Sequence, residues 1–151
     1  MPVFNHVGLV VSDLKRARRF YQEVLGFAVW YEDDTVPDGA TAKLLGLEPP
    51  LGAELSYLTL DGFVLELISF GSPEAEVMRR ERRMNETGLS HLSVSVDDIR
   101  AAAARAVELG GEIVESSDLG VALMVRDPDG QLVELLRAEY PAGRPSRPTT
   151  G

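Results

Sequence analysis

FNHVGLVVSDLKRARRFYQEVLGF, residues 4–27, and LSHLSVSVDDIRAAAARAVELGGE, residues 89–112, are two copies of one pattern. A shift of 85 carries His6 onto His91, Asp13 onto Asp98, Leu14 onto Ile99, Ala17 onto Ala102 and Gly26 onto Gly111. Each copy closes on a second matched segment, DGFVLEL at 61–67 and DGQLVEL at 129–135. There a shift of 68 carries Asp61 onto Asp129, Gly62 onto Gly130 and Glu66 onto Glu134. Internal self-similarity of this kind marks one structural unit used twice. Both histidines of the chain, and one glutamate in each half, obey that symmetry.

Working outward from the repeat, residues 3–11 are mostly apolar and predict a strand. Ser12 or Asp13 caps a helix over 13–25, whose Leu14, Ala17, Phe20 or Tyr21, and Val24 recur at helical spacing, and Gly26 stops it. FAVWYE, 27–32, reads as a second strand. AELSYLTL, 53–60, and FVLELISF, 63–70, read as a hairpin around Asp61-Gly62. In the second half LSHLSVSV is a strand, Asp97 caps a helix that runs to about residue 109, and Gly110-Gly111 stops it. EIVES, VALMVRD and QLVELLR then follow as strands, with a turn at DPDG.

The organisation is therefore two βαβββ modules of an α+β fold. The first spans 1–70 and carries an insertion at about 33–52 with a short helix around 40–46. A connecting segment, 71–88, contains a short helix begun by Pro73. The second module spans 89–137. The tail 138–151 holds three prolines and no apolar periodicity, and is expected to be flexible. His-to-Glu separation is 60 residues in the first half and 43 in the second. The difference falls at the insertion, a loop position from which a segment can cover the mouth of a site.

Bulk properties narrow the function. A chain of 151 residues makes one compact domain or two halves sharing a core. No apolar run approaches the roughly 18 residues needed to span a bilayer, and the start of the chain lacks the basic flank of a signal peptide. There are no cysteines, which excludes disulfides and thiolate metal sites and suits a cytoplasmic protein. A net charge of −9 argues against nucleic-acid binding. The basic run Arg79, Arg80, Arg82, Arg83 is interleaved with Glu81 and Glu86 and reads as a solvated helix face.

Strand alternation predicts where the repeated side chains point. His6 shares a face with Gly8 and Val10, Glu66 with Val64 and Ile68, His91 with Ser93 and Ser95, and Glu134 with Leu132 and Leu136. Both glutamates lie in the most apolar strands of the chain, where an isolated carboxylate costs several kcal/mol. A divalent metal would supply the partner. Two imidazoles and two carboxylates are a suitable N/O set for Zn, Ni, Co, Mn or Fe(II), with room for water. Taken singly, a histidine in a strand is usually a surface or hydrogen-bonded residue and a glutamate often faces solvent; the shared symmetry of the four is what points to a metal. Ser93, Ser95 and Tyr57 either line the same cavity or are polar residues of an exposed face.

The segments HVGLVVSDLKRARRFYQEVLGF, FVLELISF, GLSHLSVSVDDI and RDPDGQLVELL, in this order, resemble the vicinal oxygen chelate superfamily, also called the glyoxalase/bleomycin-resistance/dioxygenase family. The resemblance spans residues 3–137 except for 33–52 and 71–87. It implies paired βαβββ modules whose curved mixed sheet surrounds one divalent ion, with His6, Glu66, His91 and Glu134 as ligands. It also implies a small-molecule substrate chelated through two neighbouring oxygens, with Glu134 and Glu66 standing where the family's proton-moving carboxylates stand. The activity expected from it is that of a glyoxalase-like or epimerase-like lyase or isomerase. An Fe(II) extradiol-type dioxygenase, using His6, His91 and Glu134, and a small-molecule or antibiotic-binding resistance protein are the alternatives. A homodimer is expected from the resemblance, since modules of this family pair within a chain or between chains.

Overall fold

The computed structural model describes residues 1–33, 36–75, 77 and 83–138. Helix α1, Leu14–Leu25, begins where the Asp13 carboxylate accepts the Arg16 N–H at 2.9 Å, and it ends at Gly26, whose φ of +79° closes the helix in the left-handed region. Helix α3, Ile99–Glu108, is its repeat counterpart. Its cap is Asp98, which accepts the Ala101 N–H at 3.0 Å, and not the Asp97 expected from sequence. The reason lies in the repeat itself, because Asp98 is the residue that aligns with Asp13.

The strands form two four-stranded mixed sheets. The first has β1, Val7–Val10, beside β4, Phe63–Phe70, then β3, Ala53–Leu60, then β2, Ala28–Asp33. The second repeats that order with β5, His91–Val96, β8, Leu132–Arg137, β7, Ala122–Arg126, and β6, Glu112–Ile113. The pairs β1–β4 and β5–β8 are parallel, and the other neighbours are antiparallel. The expected paired βαβββ modules with mixed sheets are what the structure has, one four-stranded sheet per module. In a single chain the two sheets are separate, and β1 and β5 are the outer strands of their sheets.

Two strands are markedly shorter than the sequence reading. The first strand is shorter than 3–11, so His6 lies just before it. EIVES is a strand only at Glu112–Ile113, and Glu115–Ser117 turn as a short 3-10 helix. There the Ser117 hydroxyl donates to the Val114 carbonyl at 2.6 Å and accepts the Met124 N–H at 2.8 Å, so a local side chain takes up backbone groups a longer ladder would use. The insertion carries helix α2, Asp38–Leu45, close to the short helix expected at 40–46. Pro73–Ala75 form one turn of 3-10 helix in the connecting segment. Residues 79–82 of the basic run, and the tail after Ala138, lie outside the described residues.

One hydrophobic core joins both modules. Helices α1 and α3 pack together between the sheets, so that Ala17, Phe20, Tyr21 and Val24 share a cluster with Leu58, Leu65 and Leu67 of one sheet and Leu123, Val125, Val133 and Leu135 of the other. Full burial of a side chain such as Phe20 or Leu65 stabilises by about 1.5–3 kcal/mol. Leu92, Val94 and Val96 also turn to this core, as strand alternation predicts, which leaves His91, Ser93 and Ser95 on the opposite face.

A polar latch fixes the relative position of the modules. Asp129, in the β7–β8 turn, accepts the Ser12 N–H at 3.0 Å, the Ser12 hydroxyl, and an Arg16 N–H at 3.3 Å. Beside it Asp127, almost fully buried, accepts the Tyr21 hydroxyl at 3.0 Å and the N–H groups of Asp129 and Gln131. A cavity of about 600 Å3 remains between the modules, lined by Val7–Val10 of β1 and by His91 and Leu92 of β5. Among the described residues no helix is long and apolar enough to cross a membrane.

Candidate metal centre

Glu66 sits in β4 between Gly8 of β1 and Tyr57 of β3, its register partners. Gly8 brings no side chain, and a Cβ built there would stand 3.4 Å from Glu66 Oε2. The other flank provides a donor, since the Tyr57 hydroxyl donates to Glu66 Oε1 at 2.5 Å. Burial, then the hydrogen bond to Glu66 and its charge, push the Tyr57 phenol up to about 12, so it keeps its proton and remains a donor at neutral pH. His6 Nε2 faces Glu66 Oε2 at 3.2 Å, and the imidazole stands edge-on to the Tyr57 ring at 5.3 Å. Its other nitrogen, Nδ1, lies 2.5 Å from Asn5 Oδ1.

Glu134 occupies the same place in the second sheet, between Ser93 of β5 and Met124 of β7. Here the flanks are reversed. Ser93, where the first module has Gly8, donates its hydroxyl to Glu134 Oε2 at 2.6 Å, and Met124, in the register place of Tyr57, offers no hydroxyl. His91 Nε2 faces Glu134 Oε2 at 3.8 Å, and His91 Nδ1 lies 2.8 Å from the Ser90 hydroxyl. The second pair is the looser and more open one, with the Glu134 side chain 25% exposed against 12% for Glu66.

Each half thus holds one imidazole by Nδ1 and turns its Nε2 toward a carboxylate. A metal-binding histidine is oriented in this way, by a neighbour on its second nitrogen, and the oxygen and nitrogen donors suit a divalent ion of the first transition row. Each pair alone is two donors. Among the described residues no three His, Cys, Asp or Glu side chains gather as a metal site would require. The structure brings His6 to Glu66 and His91 to Glu134, and it does not bring the two pairs together within one chain. Ser93 and Ser95 line a cavity of about 480 Å3 with His91, while Tyr57 lines a separate recess with Asn5, Trp30 and Tyr31.

Asn5 and Ser90 were missed as candidates. Their signal was present, because the shift of 85 that matches the histidines also carries Asn5 onto Ser90, so each histidine is preceded by a polar residue able to hold its Nδ1.

Comparison with known proteins agrees with this architecture. A lactoylglutathione lyase of Pseudomonas aeruginosa is 32% identical over 145 residues, covering 90% of this chain and 82% of its own. An ethylmalonyl-CoA/methylmalonyl-CoA epimerase of Cereibacter sphaeroides is 29% identical, covering 87% of this chain and 94% of its own. Among solved structures, a glyoxalase family protein from Bacillus cereus superposes with a TM-score of 0.74 at 21% identity, covering 89% of this chain and 92% of that one. The family's sequence profile matches residues 3–135. With its twinned modules and its matched histidine–glutamate pairs, the chain belongs to the Glyoxalase/Bleomycin resistance protein/Dioxygenase superfamily, the vicinal oxygen chelate group.

Proposed function

We propose that this protein is a metal-dependent lyase or isomerase that moves a proton on the carbon next to a substrate carbonyl. We further propose that its complete site takes His6 and Glu66 from one copy of the chain and His91 and Glu134 from another. The observation that carries the reading is the twinned histidine–glutamate pair, one on each sheet, with each imidazole held by Nδ1. The separation of the pairs within a chain, and the open outer edges of β1 and β5, support assembly from two copies. An open strand edge is a place where another chain adds, and twofold pairing is the commonest closed arrangement of identical subunits. The relatives' names, a lyase and an epimerase, agree with proton-transfer chemistry.

In this reading His6, Glu66, His91 and Glu134 hold one divalent ion. Bound there, the ion would polarise two neighbouring substrate oxygens and stabilise negative charge developing at the carbonyl. The two carboxylates do different work. Glu66 is nearly buried and clamped by Tyr57, which suits a fixed ligand. Glu134 has one hydroxyl partner and more exposure, which suits a carboxylate that takes a proton from a substrate carbon and returns it.

The test joins metal content to exchange. Purified protein loaded in turn with Zn, Ni, Co and Mn is assayed without oxygen for solvent deuterium entering the α carbon of α-hydroxythioesters and acyl-CoA thioesters. Tight binding of about one ion per pair of modules, with exchange, is the expected result. Failure to retain any of these ions, or oxygen uptake with a catechol and iron in place of exchange, would replace the proposal.

A further inference from the structure

Successive residues of a strand point to opposite faces, yet Trp30 and Tyr31 do not. The β2–β3 ladder pairs Val29 with Leu58 and then Tyr31 with Tyr57, so Trp30 is an extra residue with no register partner. Such a bulge re-aims a side chain. Here it brings both rings to Tyr57, with centroids 6.1 Å away in each case. Tyr57 in turn stands edge-on to His6 and donates to Glu66. A continuous series of aromatic rings therefore runs from the rim of the first sheet to its histidine–glutamate pair. With Asn5 the three side chains Trp30, Tyr31 and Tyr57 line a recess of about 300 Å3.

Folding does not account for this wall. Trp30 is 67% exposed and Tyr31 52% exposed, so neither belongs to the core. A bulge on an edge strand also guards that edge against unwanted pairing, but any polar residues would serve there. The second module lacks the feature. Its β6 stops at Ile113, and Glu115, the repeat position of Trp30, lies in the 3-10 turn, while Met124 takes the register place of Tyr57. The wall stands on β2 and β3, away from the open β1 edge at which a second copy would add. It is thus a one-sided surface beside the candidate centre, in which the Trp30 and Tyr31 side chains are exposed. Rings of this kind gain by offset or edge-on stacking with another ring.

Resting on the function proposed above, we infer that this wall seats a flat, uncharged conjugated ring of the substrate, directly beside the two oxygens that the metal would chelate. The recess is lined by three aromatic side chains and one amide, none of them positively charged, so a phosphate or carboxylate handle finds no cation among these lining residues.

Trp30 is the single tryptophan of the chain, so indole fluorescence reports on this recess alone. Zn(II)-loaded protein is titrated with benzohydroxamate and with acetohydroxamate, which share a pair of chelating oxygens and differ by a ring. Benzohydroxamate is expected to quench Trp30 and to bind at least about tenfold more tightly, the order that one stacked ring supplies. In the double variant Trp30→Ala, Tyr31→Ala, followed by calorimetry, that preference is expected to fall to about twofold or less with acetohydroxamate affinity unchanged, whereas Trp30→Phe keeps it. Benzamide, a ring without the chelating pair, is expected to quench Trp30 weakly in zinc-free protein. Equal affinities for the two hydroxamates, or a preference that survives the double variant, overturn the ring seat and leave the metal reading intact. Absence of hydroxamate binding together with quenching by benzamide overturns the metal reading and leaves the ring seat intact. No quenching by either ring compound overturns the ring seat.

Discussion

At the scale of residues, the decisive contrast is between two glutamates in matched positions with unmatched neighbours. Glu66 is held by a phenol that stays protonated, and Glu134 by a serine hydroxyl on its opposite flank. Replacing Glu134 with Gln keeps the side chain's shape and one oxygen donor but removes the base. Exchange at the substrate's α carbon is then expected to fall by at least about a hundredfold, the lower end of a general base's contribution, with metal content largely retained. Deuterium incorporation and elemental analysis on the same preparation check both halves, and unchanged exchange would pass the role of base to Glu66. The pairings of His6 with Glu66 and of His91 with Glu134 were legible in the sequence because a repeat makes independent positions point to one another. The approach of Trp30 to Tyr57 was not legible. Strict alternation places Trp30 and Tyr31 on opposite faces, and the bulge that overrides it depends on the partner strand's register, which sequence spacing does not specify.

At the scale of elements, the helices were easy to read and the short strands were not. A helix carries its own start signal, and the Asp13 and Asp98 caps are local hydrogen bonds. Asp98→Ala is expected to lower stability by about 1 kcal/mol through loss of the cap, while Asp97→Ala, one residue outside it, changes stability by less than about 0.5 kcal/mol. Urea unfolding of the two variants measures this, and equal losses would show that the two carboxylates share the cap. Strand ends have no such local marker. β6 gives way after Ile113 because the Ser117 hydroxyl captures backbone groups, and a run such as EIVES shows only the propensity to extend.

At the scale of the whole molecule, two features carry predictions. The first is the buried Tyr21–Asp127 contact between modules. Burial above all, then the charge of Asp127 and the hydrogen bond to it, hold the Tyr21 phenol well above its ordinary value of 10. The folded chain therefore keeps a proton that the unfolded chain releases above that pH, so stability is full below about pH 10 and is lost as pH rises further. Tyr21→Phe is expected to cost about 1–2 kcal/mol near neutrality by removing a donor from buried Asp127. It should also make the decline above pH 10 shallower, by up to about 1.4 kcal/mol per pH unit. Denaturant unfolding across a pH series reads both effects, and a decline as steep as the parent's would mean that Tyr21 does not set it. The second feature is the separation of the two histidine–glutamate pairs. If each site is shared, His6→Ala and His91→Ala are each inactive, but a mixed dimer contains one site with neither change. Equal mixing with exchange of subunits then restores about a quarter of parent activity, and no recovery on mixing, with exchange shown by mass, would locate the whole site in one chain. The repeat made the two pairs readable and left this question open, since matched sequence says which residues are equivalent and not which copies meet.

The reversal of flanks around the two glutamates has a consequence for the history written into the chain. A module that is duplicated begins with two identical halves, and whatever now differs at matched places measures how far each half was released from doing everything. Gly8 against Ser93 and Tyr57 against Met124 are the register neighbours of the two carboxylates, while the helix caps and the histidines stay paired. On the function proposed above, one half grips the ion and the other moves the proton, a division of labour that a module repeated without change could not support.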